Sequence, residues 1–157
     1  MMKIKVIAVG KVKEKYFVDA CNEYLKRLTR YASVTVTEVK EENFVTEPTE
    51  SEIEQILKKE GASIIKELKG EVFVMAIEGK KYSSVEFSRL IKKSRDGVGE
   101  MSIVIGGSYG VANEVKKLAS GLISFSDMTF PHTLARVMTL EQLYRGFNIL
   151  SDGRYHK

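Results

Sequence analysis

An α/β fold, one parallel sheet covered by helices on both faces, is predicted by three features of this sequence. Five short β-type runs alternate with helical segments through the whole chain. Two of those runs, "VFVMAI" (Val72 to Ile77) and "MSIVI" (Met101 to Ile105), are almost entirely apolar, as strands are when both faces are buried. At 157 residues the chain holds one core of ordinary size, so residues 1–157 are read as a single domain.

The elements follow in order. Lys3 to Val9 reads as a strand that stops at Gly10, and Phe17, Cys21, Tyr24, Leu25 and Leu28 then recur at helical spacing. Val34 and Val36 alternate with Thr35 and Thr37 as a second strand, before an acidic linker from Lys40 to Pro48. Thr49 and Glu52 form a T-x-x-E capping box ahead of Ile53, Ile56, Leu57, Ile64, Ile65 and Leu68, with Gly61 as a weak point inside the helix and Gly70 placed to end it. "VFVMAI" is expected to be a central strand. A second box, Ser83 and Glu86, opens a short helix through Phe87, Leu90 and Ile91 that ends near Gly97 and Gly99. After "MSIVI", the turn "IGGSYG" leads into a brief helix through Val115 and Leu118. "GLISF" (Gly121 to Phe125) is the fifth strand, and a long helix runs from about Thr133 to about Leu150.

Composition narrows the function. With 43% hydrophobic and 29% charged residues the chain has the balance of a folded soluble protein. No apolar run approaches the roughly 20 residues that span a bilayer, and the N-terminus lacks a secretory signal. The lone Cys21 fits a reducing compartment, so a cytoplasmic location is expected. From Glu38 to Glu60 eight acids face three lysines, which leaves −5 there and +9 in the rest of the chain. That separation suits a partner bearing phosphates.

In an open α/β sheet, ligands bind beyond the carboxyl ends of the strands. Three successive strands here end in unusual turns: "AIEGK", "IGGSYG" and "SFSDMTFP". The glycines of "IGGSYG" (Gly106, Gly107, Gly110) lack dinucleotide-site spacing, no acid stands about 20 residues on, and no triphosphate-binding loop occurs. The third turn offers backbone groups, the hydroxyls of Ser126 and Thr129, and apolar walls from Phe125, Met128 and Phe130. Such a lining suits adenine with an uncharged or cationic moiety better than a pyrophosphate. The two histidines are far apart in sequence and no zinc or nucleophile-elbow motif occurs, so no metal is expected. The segment "GRYHK" gathers Arg154, Tyr155, His156 and Lys157, which can bind phosphate, stack on bases and move a proton.

"VIAVGKVKEKY", "IEGKKYSS", "IGGSYG", "SFSDMTFPHTLARVMTLEQLYRGF" and "YHK", in this order and at nearly full length, closely resemble the RlmH family of large-subunit (23S) ribosomal RNA pseudouridine N3-methyltransferases, members of the SPOUT class. The resemblance implies a homodimer whose C-terminal part forms a trefoil knot, which general topology rules would not suggest. It implies S-adenosylmethionine bound by Met75, Gly106 and the turn Phe125, Ser126, Asp127, Met128, Thr129 and Phe130. Related sequences commonly carry Leu and an acid where this chain has Met75 and Ala76; Met75 still supplies an apolar wall. The implied substrate is a pseudouridine in 23S ribosomal RNA within the assembled ribosome, a loop base presented at little unstacking cost. His156 is then the candidate for assisting loss of the N3 proton, Arg154 for electrostatic support, and Tyr155 for stacking on or orienting the base. Lys11, Lys13, Lys15, Lys26, Arg27 and Arg30 are candidates for phosphate contact. The rival expectations are a non-catalytic ribosome-binding or assembly protein with the same fold, and a small nucleotide-dependent oxidoreductase.

Overall fold

Strand and helix alternate along the whole chain in the computed structural model, which describes residues 1–157. In order they are β1 (Met2–Val9), α1 (Lys15–Leu28), β2 (Ala32–Val39), α2 (Glu50–Glu67), β3 (Glu71–Lys81), α3 (Ser84–Asp96), β4 (Glu100–Ile105), α4 (Asn113–Lys117), β5 (Gly121–Ser124) and α5 (His132–Leu150). The five strands form one parallel sheet in the order β2-β1-β4-β3-β5. Both capping boxes form: the Thr49 and Ser83 hydroxyls accept from the amides of Glu52 and Glu86, and each carboxylate accepts from its cap amide in return.

Because side chains alternate across a strand, each strand feeds two cores. Ile4, Val6, Ile103 and Ile123 pack under α1, α3 and α5, against Leu28, Ile91, Leu140, Leu143 and Phe147. Ile7, Val9, Val74 and Val104 face α2 and α4, against Ile64 and Val115. Gly61, a weak point by helix propensity, lies where α2 meets α4. A Cβ there would sit 3.0 Å from the Ala112 Cβ, so the glycine permits the close approach of the two helices. Burial pushes the Cys21 thiol up, which makes it inert.

Two expectations change. The sheet is centred on β4, and the "VFVMAI" strand lies between β4 and the edge strand β5. It is also longer than its apolar run. Its pairing with β4 ends at Val74, and after a register shift between Met75 and Lys80 it pairs again with Ile123 and Ser124 of β5. A Cβ on Gly79 would lie 2.6 Å from the Leu122 carbonyl carbon, so only glycine lets the two backbones pass this closely. The parting of β3 from β4 beyond Val74 opens the carboxyl edge of the sheet.

Glu60 is a buried acid on α2, 3% exposed, whose Oε2 accepts the Glu42 amide at 3.0 Å. Burial, with Glu41 and Glu42 nearby, pushes its pKa from 4.5 up to about 7. The native state therefore holds this proton more tightly than the unfolded chain, and stability present below pH 4.5 falls as pH rises toward 7. Glu60→Gln keeps the acceptor and removes the titration. Urea unfolding should show the variant more stable than the parent by up to about 3 kcal/mol at pH 8, and by much less at pH 5.

Candidate functional site

Where β3, β4 and β5 end, their following turns enclose a cavity of about 770 Å³. Its floor is the sheet edge, through Met75, Ile105 and Ile123. The Gly106 to Val111 turn forms one wall and the Ser124 to Pro131 turn another. Backbone geometry builds both. Gly110 has φ +90° and donates its amide to the Gly107 carbonyl at 3.2 Å, closing a tight turn. A Cβ on Gly106 would lie 2.7 Å from both the Gly110 carbonyl carbon and Val111 Cγ2.

The second turn is held by its own side chains. Ser124 Oγ donates to the Ser126 carbonyl at 3.0 Å, and the Ser126 hydroxyl accepts the Met128 amide at 3.0 Å. The Phe125 and Phe130 rings meet edge to face with centroids 6.5 Å apart, which fixes the apolar wall in place. A cavity of this kind, apolar with a few backbone and hydroxyl groups, suits a nucleoside with an uncharged or cationic moiety better than a pyrophosphate. At the rim Lys116 donates to Glu78 at 2.6 Å, and this hydrogen bond holds the Glu78 carboxyl below the usual range.

Seven of the eight residues expected at a cofactor line this cavity: Met75, Gly106, Phe125, Ser126, Met128, Thr129 and Phe130. Asp127 does not. Its carboxylate is exposed and pairs with Lys81 Nζ at 2.7 Å, because the extension of β3 past Ile77 brings Lys81 beside the turn. Sequence reading missed Glu78, Lys116 and His132, which also line the cavity. Glu78 belongs to the "AIEGK" turn, so its signal was present; Lys116 reaches the rim only through the fold of α4.

The expected catalytic trio lies elsewhere. Arg154, Tyr155 and His156 do not line the cavity of their own chain. Arg154 is exposed and makes no hydrogen bond or ion pair. Tyr155 folds back on α5: its amide donates to Asn148 Oδ1 at 3.1 Å and its hydroxyl to Glu141 Oε1 at 3.0 Å. Burial together with its hydrogen-bond partners raises the Tyr155 pKa, and its ring packs against Tyr144 and under the Arg145 guanidinium. Tyr155 is thus an anchor for the tail. Glu141 also lines a smaller cavity of about 210 Å³ that shares Met75, Ile123, Ser124 and Phe125 with the large one.

Of the basic residues picked out for phosphate contact, Lys11, Lys13 and Lys26 are exposed, while Lys15 pairs with Asp19. Arg27 lies over Tyr24 and Tyr144, and Arg30 over Tyr31, next to the tail. No three His, Cys, Asp or Glu side chains lie together as a metal site would need, and no helix is long and apolar enough to cross a membrane.

The family model described as "Predicted SPOUT methyltransferase" matches residues 2–156. The ribosomal RNA large subunit methyltransferase H of Caldicellulosiruptor bescii is 45% identical over 156 residues, covering 98% of this chain and 99% of that protein. The protein of the same name from Enterococcus faecalis is 43% identical, covering 99% and 100%. Among solved structures, a probable methylase family protein from Haemophilus influenzae superposes with a TM-score of 0.54 at 11% identity, over 98% of this chain and 70% of that one. That likeness agrees with the α/β architecture found here.

Proposed function

From the premise that this chain belongs to the SPOUT methyltransferase family, and within it to the ribosomal RNA large subunit methyltransferase H group, we propose that it methylates N3 of a pseudouridine in 23S ribosomal RNA on the assembled ribosome. The observation that carries the reading is the cavity at the ends of β3, β4 and β5, lined by seven of the residues expected for S-adenosylmethionine. S-adenosylmethionine supplies a methyl group on a sulfonium: the imide nitrogen bonds the methyl carbon, and the electron pair of the broken C–S bond stays on sulfur as a neutral thioether. Phe125, Met128 and Phe130 wall the cavity and exclude water from the reacting atoms. The backbone groups of the Gly106 to Val111 turn and the Ser126 and Thr129 hydroxyls orient the nucleoside.

The reading includes a homodimer, supported by two features. Leu134 and Met138 of α5 are only partly buried although Leu140, Leu143 and Phe147 on the same helix are buried, which leaves apolar surface that a second copy would cover. The tail that carries Arg154 and His156 does not line its own cavity, and a second copy supplies it across the interface. Arg27, Arg30 and Arg154 are exposed and serve as phosphate contacts, Arg27 by leaving its surface ion pair with Glu23.

The decisive experiment transfers labelled methyl from S-adenosylmethionine to ribosomes lacking the modification, with free ribosomal RNA in parallel. Label at N3 of a pseudouridine on ribosomes and not on free RNA is the expected result, from a protein that sediments at twice the 17.7 kDa of one chain. Ribosome binding without label would instead establish a non-catalytic ribosome-binding protein.

A further inference from the structure

Glu141 and Arg145 stand one turn apart on α5, a spacing that on an open helix face gives an ordinary weak ion pair. Here it is the hub of a relay. Glu141 Oε1 accepts Arg145 Nε at 2.9 Å, Arg145 Nη2 at 2.6 Å and the Tyr155 hydroxyl at 3.0 Å. Its Oε2 accepts Gln142 Nε2 at 2.8 Å, and Gln142 Oε1 accepts the Ser84 hydroxyl at 2.7 Å, so the carboxylate cannot swing away. With Nε and Nη2 committed to the carboxylate, the plane of the guanidinium is fixed. Its remaining Nη1 meets His156 Nδ1 at 3.1 Å.

A guanidinium has donors only. Nδ1 of His156 is therefore the acceptor in this contact, and the single proton of the neutral ring lies on Nε2. A base in that state would have to accept at the nitrogen that Arg145 already occupies.

We infer that His156 serves the proposed reaction as a hydrogen-bond donor through Nε2–H, not as the proton acceptor, and that Glu141 and Arg145 are positioning residues that hold it in that tautomer. The inference rests on the methyltransferase reading above. A pyrimidine imide that loses its N3 proton spreads the negative charge over N3 and the two flanking carbonyl oxygens. A fixed N–H aimed at one of those oxygens stabilises the anion that attacks. The proton passes to hydroxide from solvent and forms water, and the N–H bonding pair stays on the imide, so no protein base is needed. Tyr155, packed against Tyr144 and Arg145 and bonded to Glu141, holds the tail against α5 beside this contact.

The test has a spectroscopic arm and a kinetic arm, both on the full chain. With ¹⁵N-labelled histidine, the His156 resonances are identified by their loss in His156→Gln. Nδ1 should show the shift of an unprotonated nitrogen and Nε2 that of a protonated one, as a single tautomer. Arg145→Met should relax this to a mixture of tautomers, and Arg145→Lys should restore it in part. On ribosomes lacking the modification, His156→Ala should lose about 100-fold in turnover, as removal of an oxyanion donor does. His156→Gln, whose amide N–H reaches the Nε2 position, should stay within about tenfold of the parent, whereas His156→Asn should not. A protonated Nδ1 in the parent chain, or His156→Gln as inactive as His156→Ala in an otherwise active protein, would overturn the inference alone. If the parent chain transfers no methyl although the tautomer is as described, the functional reading falls and the donor role falls with it.

Discussion

Replacing Gly106 with alanine should lower stability by about 3 kcal/mol and weaken S-adenosylmethionine binding at least tenfold, measured by urea unfolding and titration calorimetry. The reason is local. The new Cβ would lie 2.7 Å from the Gly110 carbonyl carbon and from Val111 Cγ2, and neither can retreat. The Gly110 carbonyl belongs to a turn pinned by the Gly107–Gly110 bridge, and Val111 is buried in the core under α2 and α4. The turn must therefore open, and it is itself one wall of the cavity. Gly110→Ala is the control. Its φ of +90° strains any side chain, yet nothing lies within 4 Å of the added Cβ, so the cost should be only the backbone term of about 1–2 kcal/mol. If the two variants lose binding equally, the close approach at Gly106 is not what shapes the wall.

How far such a site can be read without a structure depends on the range of the interactions that build it. The three turns were legible because each directly follows a buried strand, and parallel strands bring their carboxyl ends to one edge. Both capping boxes were legible because they are made within four residues. Asp127 was misplaced for the opposite reason. Its direction depends on Lys81, which reaches it only because β3 resumes pairing with β5 after its register shift, and no apolar run marks Gly79 to Lys81 as strand. The chemistry of the tail was visible in its residue types, but its geometry was not, since Glu141 and Arg145 look like any surface pair at helical spacing. Nothing in the periodicity distinguishes β4 from β3 as the central strand. That order is decided by which crossover connections pack, a property of the assembled sheet.

Arg136 was equally silent in the sequence, and it supports the other large prediction. It lies on α5 just after the cavity wall, is 5% exposed, and donates through Nη1 to Glu38 at 2.6 Å and through Nη2 to the Gly10 carbonyl at 3.1 Å. Its Nε has no partner. The side chain thus ties the start of α5 to the carboxyl ends of β1 and β2, with one donor already unpaid. Glu38→Ala would leave a buried guanidinium without its counter-charge, and should cost about 3–5 kcal/mol in urea unfolding. Arg136→Met should cost less, about 1–3 kcal/mol: it leaves the Gly10 carbonyl without its donor, but Glu38 is 38% exposed by its side chain and can turn to water. The asymmetry gives a sharper test than either variant alone. Adding Arg136→Met to Glu38→Ala should recover stability, because it removes the charge that the first change stranded. If the double variant is less stable than Glu38→Ala by the full cost of Arg136→Met, the two side chains act independently, and the ion pair does not hold α5 against the sheet.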